Sequence, residues 1–207
     1  MTMDLKEVLE TRRAVNFFDP SKDVDESVIR RIYDLARLAP TSFNLQPVNI
    51  ILLHSAESKQ TLREAAFNQP KITDAPWVAI LLGDKKAYDH MDPIIDDMIE
   101  KGFTKEEGRN VVKGMAKGLY EGDNERAFAH RNVSLFASAF MLAAKSLGVD
   151  THPMDGFDGG AVRKVFNIPD DLEVVMLVAI GHHDESKTLL PRARRKEYDE
   201  VVRHGGF

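Results

Sequence analysis

Residues 26–54 read ESVIRRIYDLARL (26–38), APTSFNLQP (39–47) and VNIILLH (48–54). Apolar residues recur at helical spacing through the first piece and run continuously through the last. The middle piece is therefore a polar loop between a helix and a buried strand. It holds two hydroxyls (Thr41, Ser42), two side-chain amides (Asn44, Gln46) and two prolines (Pro40, Pro47). Proline fixes φ and restrains the preceding residue, so the loop is stiff. A stiff loop crowded with uncharged donors and acceptors suits a polar heterocycle with a phosphate nearby. The same residues also serve as ordinary turn formers at a capped helix end.

Working outward, DLKEVLETRR (4–13) reads as a first helix and 25–39 as a second. Asp25 is the expected N-cap, and Val28, Ile29, Ile32, Leu35 and Leu38 form one apolar face. ESKQTLREAAF (57–67) is a helix and PWVAILLG (76–83) a buried strand. Residues 85–121 are charged and helical, with breaks expected at Pro93 and Gly102. A long helix spans 125–147 and stops at Gly148. VDTHPM (149–154) is a short strand, Asp158 caps a helix through Phe166, and LEVVMLVAIG (172–181) is another strong strand. Helices alternating with continuous apolar strands imply layers around a covered sheet. The pattern leaves parallel and antiparallel order open. No repeat or linker divides the chain, so residues 1–207 are read as one domain. The tail from 184 to 207 is polar and basic, yet Leu189, Leu190, Tyr198, Val201 and Val202 need burial.

Composition narrows the functions. A net charge of −5 argues against a general nucleic-acid binder. The basic run PRARRKE (191–197) is the exception; it reads as a local phosphate site, with a localisation signal or a nucleic-acid tail as the alternative. There is no cysteine, which excludes disulfides, thiolate nucleophiles and cysteine-ligated metals. The longest apolar stretch, VSLFASAFMLAAKSLG (133–148), is interrupted by Ser134, Ser138 and Lys145 and is too short to cross a membrane. The expected location is the cytoplasm. No P-loop or GxGxxG is present. His182 and His183 are adjacent without a third ligand, and Asp92, Asp96 and Asp97 read as a solvated helix face. No metal site is expected.

Five segments in order, RRAVNFFDP (12–20), APTSFNLQP (39–47), FNQPK (67–71), PMDGFD (153–158) and GHHDESKTLLPRARR (181–195), resemble the nitroreductase family of flavin enzymes. The resemblance implies an α+β fold, a mainly antiparallel central sheet flanked by helices, in an intertwined homodimer. It implies FMN as cofactor and NADH or NADPH as electron donor. Arg12, Arg192 and Arg194 become phosphate candidates, for which arginine's always-charged fork is suited. Arg13 falls near the ribityl chain or pyrimidine edge. Otherwise Arg12 and Arg13 are a solvated helix end complementing the dipole. Asn16 stands where relatives usually carry Lys or Arg, and Ala14 where they often carry Ser. Asn68 and Lys71 match ring-contacting positions, leaving Lys71 as the main cation there, or else as an exposed loop lysine.

Pro40, Thr41, Ser42 and Asn44 match residues supplied by the opposite subunit. Pro153, Met154, Asp155 and Gly156 match the segment lying against the ring, where Gly156 permits close main-chain approach. Asn132 matches a polar residue facing the flavin. The implied activity is an FMN-dependent oxidoreductase passing hydride from NAD(P)H through flavin N5 to nitroaromatics or quinones by ping-pong chemistry. The flavin, not a side chain, carries the chemistry, so no catalytic residue is assigned. Two rivals are a relative with specialised redox chemistry (substrate dehydrogenation or flavin breakdown) and a non-catalytic flavin-binding regulator. Residues 85–121, which the motifs skip, are expected over the acceptor pocket, and 184–207 as an arm over the partner.

Overall fold

The structure is a computed structural model that describes residues 3–206. Four strands form one fully antiparallel sheet in the order β1-β2-β4-β3. They are β1 (Val48–Leu53), β2 (Trp77–Asp84), β3 (Asp150–Met154) and β4 (Leu172–Gly181). The central pair, β2 and β4, is nearly continuous in apolar residues because both faces are covered. Alternation along β2 sends Val78, Ile80 and Leu82 to one core and Ala79 and Leu81 to the other.

The first core is covered by α3 (Ala56–Ala65), the single turn α4 (Lys71–Asp74) and α8 (Gly159–Val165). The second is covered by α2 (Glu26–Ala36) and the long α7 (Glu125–Ser146). Helix α1 (Leu5–Thr11) lies against α7. Caps fall where the sequence expects them. Asp25 accepts from Ser27 N at 2.7 Å, and Asp158 accepts from the Gly160 and Ala161 amides at 2.9 and 3.0 Å. Gly148, at φ +78, terminates α7. No helix among the described residues is long and apolar enough to cross a membrane.

Several expectations change. The first helix stops at Thr11, and Arg12 leaves it in extended conformation. That frees residues 14–18 to run beside β3 and β4, through bridges Ala14 to Thr151 and Phe18 to His183. On α2, Ile29 and Ile32 are buried as expected, but Leu35, and Leu38 just beyond the helix, are 48% and 76% exposed. Ala36 takes the core position instead. Pro93 does not break a helix; it sits in the first turn of α5 (Asp92–Glu100), where its missing N–H costs nothing. Gly102, at φ +76, follows that helix. Residues 85–121 fold as α5 and α6 (Arg109–Tyr120) around a third, small core in which Tyr88, Met91 and Ile95 meet Leu45 of the 40–47 loop and Phe128 of α7. The solvated acids there are partnered: Asp92 and Asp96 hold Arg109, and Asp92 also holds Lys113.

Gly83 decides how closely α7 can approach the sheet. A Cβ on it would meet Ala129 Cβ at 2.8 Å and Ala129 Cα at 3.2 Å. The neighbour is helix backbone, so it cannot rotate away. Gly83→Val is expected to destabilise the fold by about 1–3 kcal/mol, the usual cost of overpacking. Urea unfolding of the variant measures it, and an unchanged midpoint would mean that α7 does not pack as tightly as described.

Candidate active site

The sequence-derived candidates lie on two loops (40–47 and 67–71), on three further segments (12–16, 153–156 and 192–194) and, for Asn132, on α7. The loop at 40–47 is a single 3-10 turn, Ser42–Asn44, wedged between α2 and β1. Asn132, fully buried on α7, accepts from Ser42 N at 2.8 Å and donates to Phe128 O at 2.8 Å. Thr41 Oγ1 closes the loop by accepting from Gln46 N at 3.0 Å. Asn132 thus uses its oxygen and one N–H inside the chain, to anchor the 40–47 loop to α7. Ser42 and Asn44 differ: among the described residues their side chains have no hydrogen-bond partner.

The loop at 67–71 packs on the loop that follows β3. Gln69 Nε2 donates to Gly156 O at 2.7 Å, and Asp158 N donates to Ala65 O at 2.9 Å. Asp155 and Gly156 are exposed, while the Met154 side chain is buried in the first core, so only its main chain can face a ligand. Asn68 holds Arg63 through its own carbonyl, at 3.2 Å. Lys59, almost fully buried, donates to Ala75 O at 2.7 Å and secures the far end of α4. Burial holds its ammonium below the ordinary lysine value.

Backbone strain singles out the same two loops. Phe43, Asn44, Gln46, Phe67, Asn68 and Asn167 are the described non-glycine residues at positive φ, and all but Asn167 lie there. Such conformations cost free energy and persist where surrounding structure enforces them, commonly at binding sites.

At the start of α4, Lys71 Nζ lies 3.2 Å from Asn16 Oδ1 and 3.1 Å from His152 Nε2. His152 Nδ1 lies 3.0 Å from Val15 O. A carbonyl cannot donate and an ammonium cannot accept, so the imidazole is neutral with its proton on Nδ1. Burial and the Lys71 charge push its pKa down to about 4. Burial also lowers that of Lys71. His152 is a residue the motifs missed. Strand alternation, which puts it on the face of Met154 and α4, was the available signal.

The arginines collect at the end of α1. Arg192 donates to Glu10 O at 2.8 Å and Arg12 O at 2.9 Å, capping that helix, while Arg13 donates to Leu190 O. The Arg12 guanidinium is partly buried and has no acceptor or acidic partner among the described residues. Burial, then Arg192, Arg195 and Arg13, hold its pKa below the ordinary value. Arg194 does not join them; it pairs with Glu200 on the arm. Arg195, exposed and bonded to Ala193 O and Arg194 O, contributes its charge near Arg12 from a stretch, 188–197, without regular structure. A half-buried cation among like charges fits an anion, so the set suits a terminal phosphate.

One chain cannot bring all of this together. The 40–47 loop feeds β1 at one sheet edge, where Val48 pairs with Gly83. The segment at Ala14 lies along β3 at the other edge, in the row of Thr151, Ile180 and Trp77. The two are separated by four strand spacings, about 19 Å across the strands, and about 20 Å along them. A cleft of about 710 Å³ lined by Arg126, His130, Arg163 and Glu173 reaches the candidates only at Asp155.

The chain belongs to the nitroreductase family, whose model matches residues 9–182. It is 36% identical over 201 residues to "Putative NAD(P)H nitroreductase MhqN" of Bacillus subtilis, covering 95% of this chain and 96% of that one. The crystal structure of a B. subtilis protein described as "putative nitroreductase ydfN" superposes with a TM-score of 0.89 at 33% identity, covering 96% of this chain and 97% of that one. A nitroreductase described as putative, from Exiguobacterium sibiricum in complex with FMN, superposes at 0.84 with 27% identity, over 98% and 99% of the two chains.

Two outcomes follow from the hydrogen bonds. Asn132→Ala leaves the Ser42 amide without its partner and is expected to cost about 1–3 kcal/mol, read by thermal melting; no change would mean that the bond is not made. His152, neutral when folded, has a pKa below the roughly 6.5 of an unfolded chain. Its contribution to stability is complete above about pH 6.5, falls as pH drops and is lost by about pH 4. Unfolding free energies of His152→Gln across that window should lack this part of the slope; parallel pH profiles would contradict the assignment.

Proposed function

We propose that the protein is an FMN-dependent oxidoreductase that draws on NADH or NADPH and reduces small acceptors such as nitroaromatics or quinones. The observation that carries this reading is Arg12: a partly buried guanidinium without an acceptor, beside Arg192 and Arg195. When bound, FMN supplies the redox chemistry, taking hydride at N5 from nicotinamide and passing it to the acceptor in a ping-pong cycle. Arg12, Arg192 and Arg195 hold its phosphate. Lys71 and Asn16 supply donors at the pyrimidine edge, and the exposed main chain at Asp155 and Gly156 lies against the ring. Gly156 has no heavy atom closer than 3.5 Å to the place a Cβ would occupy, so its use is access for a ligand rather than internal packing.

The working unit is an intertwined homodimer, in which Ser42 and Asn44 of one copy complete the site begun by Arg12 and Lys71 of the other. The diagonal separation of the two loops supports this reading. So do exposed apolar residues on α1 (Leu5, Leu9), on and just after α2 (Leu35, Leu38) and on the arm (Leu190, Tyr198, Val201). The helical excursion at 85–121 borders the acceptor pocket, supported by the edge-on contact of Tyr120 with Phe43, 6.2 Å between centroids. The cytoplasm, where NAD(P)H is regenerated, is the setting.

The protein should purify yellow or take up FMN. Arg12→Ala should weaken FMN binding about ten- to hundredfold, the worth of charge-assisted hydrogen bonds. Fluorescence titration and steady-state oxidation of NADH and NADPH with a quinone or nitroaromatic test this. Protein that binds no FMN, or binds it without oxidising either nucleotide, contradicts the proposal.

A further inference from the structure

The contacts around Lys71 form one directed chain. Val15 O accepts from His152 Nδ1, His152 Nε2 accepts from Lys71 Nζ, and Asn16 Oδ1 accepts from Lys71 Nζ. Every direction is forced. The imidazole must donate to a carbonyl and so has only a lone pair for the ammonium. The Asn16 amide must present oxygen to the ammonium, because NH₂ against NH₃⁺ would leave two donors facing. Two of the ammonium's three protons are then committed and one is free. Both N–H groups of the Asn16 amide are free as well, on an exposed residue. The result is an array of donors without acceptors, set at the end of the Arg12 segment.

We propose that His152 is a positioning residue for the pyrimidine edge of the cofactor: its bare Nε2 fixes Lys71, and Lys71 in turn orients the Asn16 amide, so that a charge and a neutral amide are presented there together. This rests on the reading that the site binds FMN. Reduced flavin carries negative charge at the pyrimidine edge, so an ammonium held there strengthens binding of the reduced form relative to the oxidised form. Without the acceptor at His152, the four-carbon lysine stem is free to swing the charge into solvent.

Imidazole's two functions can be tested apart. In His152→Gln the longer amide can still accept from Lys71. In His152→Asn the shorter amide can still donate to Val15 O but does not reach Lys71. His152→Leu does neither. The readout is the midpoint potential of bound FMN by spectroelectrochemical titration, with the Kd of oxidised FMN measured beside it and circular dichroism confirming folding. His152→Asn and His152→Leu are expected to lose about tenfold in reduced-over-oxidised binding, about 30 mV lower for a two-electron couple, with His152→Gln close to the parent. Equal potentials in all four proteins, or a fall in His152→Gln matching that in His152→Leu, would overturn the proposal. On the flavin-free parent, nitrogen NMR of His152 should show the Nδ1–H tautomer at neutral pH. The Nε2–H form there would overturn it even if the variants fail to fold. A parent that shows the Nδ1–H tautomer but binds no FMN would locate the failure in the functional reading on which the proposal rests, and the proposal falls with it.

Discussion

The sheet order β1-β2-β4-β3 is the constraint on which the site depends. It puts the strand entered from the 40–47 loop and the strand flanked by the Arg12 segment on opposite edges. Central strands β2 and β4 are buried on both faces, with helices packed against each, so no rearrangement short of unfolding brings the edges together. Each edge is then furnished separately. On one, Asn132 and Thr41 spend polar groups on holding a strained loop, and the side chains of Ser42 and Asn44 have no hydrogen-bond partner among the described residues. On the other, Lys59 and Gln69 fix α4 and its neighbouring loop, and leave Lys71 beside Asn16.

Electrostatics sharpens this picture. Arg12, Arg13, Arg192 and Arg195 repel one another, and burial of Arg12 adds to the cost. The fold offsets part of it by using Arg192 and Arg13 to bond main-chain carbonyls, which ties the arm to the end of α1. The Arg12 guanidinium has no such use among the described residues. A binding anion would remove the repulsion, so stability and ligand affinity should be linked through this residue. The Lys71 cluster works by a different logic: one charge, two neutral acceptors, and a histidine kept neutral by its surroundings.

Much of this was legible in the sequence. The helices and strands followed from apolar periodicity, and the caps Asp25 and Asp158 from residue type and place. Antiparallel order did not, since buried strands read alike in either direction; it came from the resemblance. A polar residue on a long helix looks the same in sequence whether it faces a ligand or anchors a loop, as Asn132 does through Ser42 N. Leu35 and Leu38 were read as core because an apolar stripe does not say whether its own chain covers it. Arg194 and Arg195 could not be told apart in an irregular arm. His152 went unnoticed because its partners, Lys71 and Val15, are 81 and 137 residues away.

The central claim is that one flavin site is built from two copies of the chain. Sedimentation velocity across a dilution series, with flavin fluorescence recorded on the same samples, tests it most directly. The account predicts that FMN is released as the dimer dissociates, with both transitions at the same protein concentration. A monomer that keeps FMN at undiminished affinity would contradict it.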